Sequence, residues 1–239
     1  MNPAHLIGID GYPKGWVGAV LANGQITWRT EPIGNFSRLI SGVGLVAVDI
    51  PVGLADGGWR ACDAQAKVLL GTARSRVFMT PPRAVIELGL SVPNEKVQLV
   101  SREFTGQGVS RQALGLATRV LDVDACLPDE RIIEVHPELS FLAMSGAVLP
   151  SKKSAAGVAA RISALTARTE GADAISVRSG FRLDWLAALT RCPADVPIDD
   201  ALDALAALWT ALRHARGSSE QVLAVPEFDP RGTRMQITF

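Results

Sequence analysis

The feature that most constrains this chain is a short β-forming run, residues 5–10 (HLIGID), that carries apolar side chains right up to a carboxylate, Asp10. A charge at the end of an otherwise apolar strand is costly unless it is solvated, paired or bound to a metal. Turn signals follow at once in Gly11, Pro13 and Gly15, and residues 16–22 (WVGAVLA) read as a second strand. Asn23-Gly24 is a two-residue hairpin signal leading into residues 25–30. The three runs predict an antiparallel meander.

A short helical stretch at 35–41 precedes residues 44–50 (GLVAVDI), an almost continuously apolar run stopped by Pro51, as expected of a buried parallel strand. From residue 56 to about 128 the pattern changes to helices and loops. One helix is expected around 59–70, ended by Gly71, and another over 110–125. This stretch reads as a helical insertion in a single α/β domain spanning 1–239. Residues 131–135 (RIIEV) are a further buried-strand candidate, closed by Pro137. Helices are predicted at 157–168, 183–190 and, most strongly, 199–214. In the last, Leu202, Leu205, Leu208, Trp209 and Leu212 form one apolar stripe, and Asp199 is placed to cap it.

Apolar residues at 48% and charged residues at 20% describe a folded globular chain. Basic and acidic residues balance at 24 each, so there is no global attraction for nucleic acid or anionic membrane, and any phosphate binding must be local. Cys62, Cys126 and Cys192 lie far apart without a CxxC pair, which argues against a thiolate zinc site or a disulfide framework and fits a reducing cytoplasm. No apolar run reaches about 18 residues and no secretory leader is visible, so neither export nor membrane insertion is expected.

Three acids sit at or near strand ends: Asp10, Asp49 and Glu134. In an open α/β sheet the strand ends face the crevice where ligands bind, so these carboxylates share one edge if the strand directions agree. Asp200 and Asp203, at i and i+3, lie on one face near the positive end of the last helix. Carboxylates suit Mg²⁺ or Mn²⁺, and a pair of such ions about 3.5 to 4 Å apart holds a phosphodiester for in-line attack by water. Each acid also has a plain structural reading as a turn cap, a helix starter or an arginine partner. The coincidence of all of them is what argues for a site.

Other residues carry two readings each. Arg74, Arg76 and Arg83 flank Phe78 and the Pro81-Pro82 turn, either as a guanidinium clamp for phosphate or as a surface loop. Lys152 and Lys153 precede a helix and either bind phosphate or stay solvated. His136, beside Glu134, is a general base, a metal ligand or a satisfied buried histidine. Trp59 stacks on a base or packs in the core.

Taken in order, the chain resembles domain-of-unknown-function family 429, described as a predicted nuclease of the ribonuclease H-like superfamily. The resemblance rests on Gly8-Ile9-Asp10-Gly11 with Gly15-Trp16-Val17, Val48-Asp49-Ile50-Pro51-Val52-Gly53-Leu54, Arg60 with Cys62-Asp63, Arg74-Ser75-Arg76-Val77-Phe78 with Pro81-Pro82-Arg83, and Ser110-Arg111-Gln112. It continues through Glu134-Val135-His136-Pro137-Glu138 with Phe141, Ser151-Lys152-Lys153 and Asp199-Asp200-Ala201-Leu202-Asp203-Ala204. It implies a ribonuclease H-like mixed sheet, a three-strand meander plus parallel strands flanked by helices. It further implies a metal held by Asp10, by Glu134 and by Asp200 or Asp203. One departure is Tyr12-Pro13-Lys14, which puts Lys14 near Asp10, to neutralise a phosphate or replace one metal.

The leading expectation is a Mg²⁺- or Mn²⁺-dependent phosphodiesterase acting on DNA or RNA, with insertion arginines on the backbone. The alternatives are a catalytically silent module that binds nucleic acid or protein, and a nucleotide-dependent phosphotransferase. The last ranks lowest because such enzymes normally duplicate the Gly-Ile-Asp-Gly element, which occurs once here.

Overall fold

The computed structural model describes residues 5–89, 91–167 and 183–239. The chain opens with three strands, β1 (His5–Tyr12), β2 (Gly15–Ala22) and β3 (Gln25–Glu31), followed by the short helix α1 (Phe36–Leu39) and strand β4 (Leu45–Val48). Helices α2 (Ala61–Leu70), α3 (Arg83–Leu88), α4 (Asn94–Thr105), α5 (Arg111–Gly115) and α6 (Ala117–Asp124) lead to β5 (Ile132–Val135), with a 3₁₀ helix at Gly71–Arg76. Then come α7 (Pro137–Ser145), α8 (Ala155–Ala167), α9 (Trp185–Thr190) and α10 (Ile198–Ala215). The chain ends with β6 (Glu227–Phe228), β7 (Arg234–Met235) and β8 (Ile237–Thr238).

Six strands form one mixed sheet in the order β3-β2-β1-β4-β5-β8. The meander is antiparallel, and β4, β5 and β8 add in parallel to β1. Both turns of the meander are two residues long. Asn23 (φ 52°) and Gly24 (φ 77°) take the left-handed conformation that matches the twist of the flanking strands. The first turn is Pro13-Lys14, so β1 runs two residues past Asp10 instead of ending on it.

The sheet is covered on both faces. Ile7, Ile9, Val20, Val46 and Val48 pack with α1 and α6 on one side. Leu6, Val17, Ala19, Ala47 and Val135 pack with α7, α9 and α10 on the other. Helix α10 is buried nearly all round between Ala201 and Leu212, more completely than a single apolar stripe predicts, because the sheet lies on one side and α7, α8 and α9 on the others. Its approach is set by Gly8. A Cβ there would lie 2.0 Å from the Leu208 nitrogen and 2.3 Å from the Ala204 oxygen, so strand and helix meet backbone to backbone.

Several local expectations are corrected. The predicted helix over 110–125 is two helices interrupted around Leu116. The 59–70 helix begins at Ala61. Pro197 rather than Asp199 precedes α10, and the Asp199 carboxylate accepts from Lys153 instead of capping. The predicted 157–168 helix spans Ala155–Ala167, with Arg168 outside the described residues. The C-terminal strands carry no sequence expectation, since two-residue strands are too short to show a period. Among the described residues no helix is long and apolar enough to cross a membrane.

Gly8→Ala should lower stability by about 3 kcal/mol or more, because the added methyl meets backbone that cannot rotate away. Gly115→Ala, with open space around the Cβ, should be neutral or slightly stabilising. Urea unfolding of the two variants checks this, and equal effects would contradict it.

Candidate metal centre

Residues of β1, β4 and β5 align in rows. Ile9 is in register with Val48, and Val48 with Glu134. One position further on, Asp10 and Asp49 fall in the next row and project to the opposite face, toward α10. The Asp49 amide donates to the Ile9 carbonyl (3.0 Å), which locks the two acids side by side. Helix α10, seated on Gly8, brings Asp203 to the same place. Carboxylate oxygens of Asp10, Asp49 and Asp203 all lie within 4.8 Å of one another.

This cluster forms part of the wall of a cavity of about 430 Å³. Asp203 is only 2% exposed; its Oδ2 accepts from Lys152 Nζ, whereas its Oδ1 is buried without a hydrogen-bond partner among the described residues. Asp10 Oδ1 accepts from the Gly11 amide at 2.6 Å. Burial, reinforced by Asp49 and Asp203, pushes the Asp10 carboxyl well above the usual range. Burial and the charge of Asp203 do the same to Asp49. Burial raises Asp203 to about 6 despite Lys152. For Lys152, burial works against the charge, but Asp203, Asp10 and Asp49 outweigh it and hold the ammonium.

Glu134, although one residue from this row, does not join it. It lies on the other face of the pleat, where Oε1 and Oε2 accept from Arg60 Nη2 (2.6 Å) and Nη1 (2.8 Å), and Oε2 also accepts from the Val52 amide (2.8 Å). Arg60 is fully buried and also binds Asp63, whose Oδ2 accepts from the Thr80 amide (2.7 Å). The trio that the fold assembles is therefore Asp10, Asp49 and Asp203 rather than Asp10, Glu134 and Asp203. Asp200 lines the cavity, half-buried, but stands outside the trio.

The basic residues divide in the same way. Lys152 and Arg76 line the cavity; Arg76 donates to Glu138 (2.7 Å) and the Leu149 carbonyl (3.0 Å). Lys153, itself exposed, pairs with the buried Asp199. Lys14 does not approach Asp10: the turn carries it outward, where it is exposed and paired with Asp195 at 3.1 Å. Arg83 binds Asp124 (2.7 and 2.9 Å) and faces Asp229, joining α3, α6 and the C-terminal segment outside the cavity. Arg74 is exposed and also outside it, as is half-buried Trp59. His136 lines the cavity with a buried Nδ1 that has no hydrogen-bond partner among the described residues, and burial lowers its pKa.

Arg119 was invisible to sequence reasoning. It projects from α6 under Gly11, where a Cβ would lie 2.6 Å from its Nε, and donates to the Tyr12 carbonyl at 2.7 Å while lining the cavity. The only sequence signal for it is the glycine after Asp10, which leaves room for a side chain from a distant helix.

A carboxylate whose pKa rises on folding contributes stability that is full below its unfolded value and lost as pH rises through the folded one; for Asp203 the window runs from 3.8 to about 6. Asp10 shifts in the same direction. Asp10→Asn keeps an acceptor for the Gly11 amide and removes the charge, so it should raise the Tm of the metal-free protein by a few degrees at pH 8. The gain should shrink toward pH 4. A gain that grows toward acid pH would contradict this reading of the cluster.

The model of the family described as protein of unknown function (DUF429) matches residues 8–228. No curated protein and no solved structure matches the chain. The matched span contains Asp10, Asp49 and Asp203 together with Lys152, Arg119 and His136, and by that match the chain belongs to this family of proteins of unknown function.

Proposed function

We propose that the protein is a Mg²⁺- or Mn²⁺-dependent phosphodiesterase of the ribonuclease H-like kind that hydrolyses DNA or RNA. The observation that carries this reading is the convergence of Asp10, Asp49 and Asp203 with one buried Asp203 oxygen left without a partner. Three like charges driven together under burial make sense where a cation repays the cost. An all-oxygen donor set suits a hard divalent ion. When bound, such an ion supplies a polarised phosphoryl oxygen and a more acidic water.

The chain's own residues provide the rest. Asp10, Asp49 and Asp203 hold the cation. Arg119, which donates to the Tyr12 carbonyl, and Arg76 present guanidinium groups to the cavity for a phosphate diester. His136, kept neutral by burial, offers Nδ1 to accept or return a proton. The local cation supply answers the absence of a net positive charge on the whole chain.

Cleavage of single-stranded, duplex and hybrid substrates, assayed with and without Mn²⁺, tests the reading. Activity should require the metal, and Asp10→Asn, Asp49→Asn and Asp203→Asn should each lower kcat/KM roughly a hundredfold or more. Arg119→Ala should raise KM about tenfold, and Lys14→Ala should change neither constant. Tight nucleic-acid binding that is indifferent to metal, with no cleavage of any substrate, would sink the proposal.

A further inference from the structure

Lys152 reaches the carboxylate cluster from a segment that the fold holds in place. Arg161, fully buried, donates to the Pro150 carbonyl at 2.8 Å and to Glu138 at 2.6 Å. Ser154 Oγ donates to the Ser151 carbonyl at 2.8 Å. Gly157 packs so closely that a Cβ would lie 1.9 Å from that same carbonyl. The segment 150–153 is thus clamped onto α8, and the Lys152 ammonium is delivered to Asp203 Oδ2.

The two oxygens of Asp203 therefore have different fates. Oδ2 is occupied by an internal cation, and Oδ1 is buried with no hydrogen-bond partner among the described residues. Three carboxylates less one ammonium leave two negative charges, the charge that one divalent ion neutralises. A second divalent ion would have to take Asp203 Oδ2 from the ammonium. We propose that the site takes a single divalent cation and that Lys152 holds the place a second one would occupy. The inference rests on the metal-dependent reading above and specifies how the site is charged. Lys152 is then a positioning residue that fixes Asp203 and supplies the second positive charge beside the bound phosphate.

Calorimetric titration with Mn²⁺ and electron paramagnetic resonance of the full chain test it. The wild type should bind one Mn²⁺ with no coupled Mn–Mn signal. Lys152→Met should bind two, with a coupled signal and the first ion held about tenfold tighter, because a neighbouring positive charge is gone. Lys152→Arg should remain at one. Lys152→Gln is a second neutral variant should the methionine form fold poorly, and the wild-type count is decisive without either. Two coupled ions in the wild type overturn the inference while leaving metal-dependent chemistry intact. So does a neutral variant that still binds one ion with unchanged affinity. No Mn²⁺ binding by the folded wild type overturns the metal-dependent reading itself, and this inference with it.

Discussion

The close approach of β1 and α10 at Gly8 is the contact on which the rest of the site depends. A side chain at that position would hold the helix away from the sheet, since the atoms it would strike are backbone. With glycine there, Asp203 on α10 and Asp10 on β1 come within a few ångströms although they are far apart in sequence. The largest core cluster builds on the same contact, with Ala204, Leu205 and Leu208 packed against Leu6 and Ala47. Packing and chemistry share one seam, so the geometry of the carboxylates is as rigid as the core itself.

That rigidity holds together groups that repel. Burial raises the pKa values of Asp10, Asp49 and Asp203, repulsion from Asp203 adds to it for Asp10 and Asp49, and Lys152 only partly offsets the effect. A core optimised for stability alone would not retain three such acids. The surrounding charges are handled differently. Glu134 and Asp63 surround a buried Arg60, and Glu138 takes both Arg76 and Arg161. The Arg60 network is closed, with all three guanidinium nitrogens bonded, and the two networks fix the loops after β4 and before α8. The cluster beside them keeps an open carboxylate oxygen. An unsatisfied carboxylate oxygen among three converging acids sets the cluster apart from the satisfied Arg60 ion pairs.

Much of the fold was legible in local signals. Asn23-Gly24 could close only a tight hairpin, the run before Pro51 was too apolar for an edge strand, and the leucine spacing after Pro197 announced a buried helix. Asp10, Asp49 and Glu134 stood out as charges at or near the ends of apolar strands, and Asp200 and Asp203 as acids on one face of the last helix. The helix break near Leu116 and the strand at Ile237–Thr238 did not stand out, since their signals are only one or two residues long.

What the sequence by itself determined is the set of candidate acids and the elements that carry them, because apolar periodicity and turn chemistry act over a few residues. Which acids meet was decided only by tertiary structure. Asp49 and Glu134 look equivalent in sequence, each near the end of a buried strand. The parallel register pairs Glu134 with Val48, one position short of Asp49, and the pleat sends it to the opposite face and to Arg60. In the same way, Lys14, expected near Asp10, is carried outward by a two-residue turn, while a clamped loop on α8 brings Lys152 to Asp203 in the same cluster. Register and loop placement depend on contacts across the whole chain, and a one-residue offset in a strand reverses every side chain it carries.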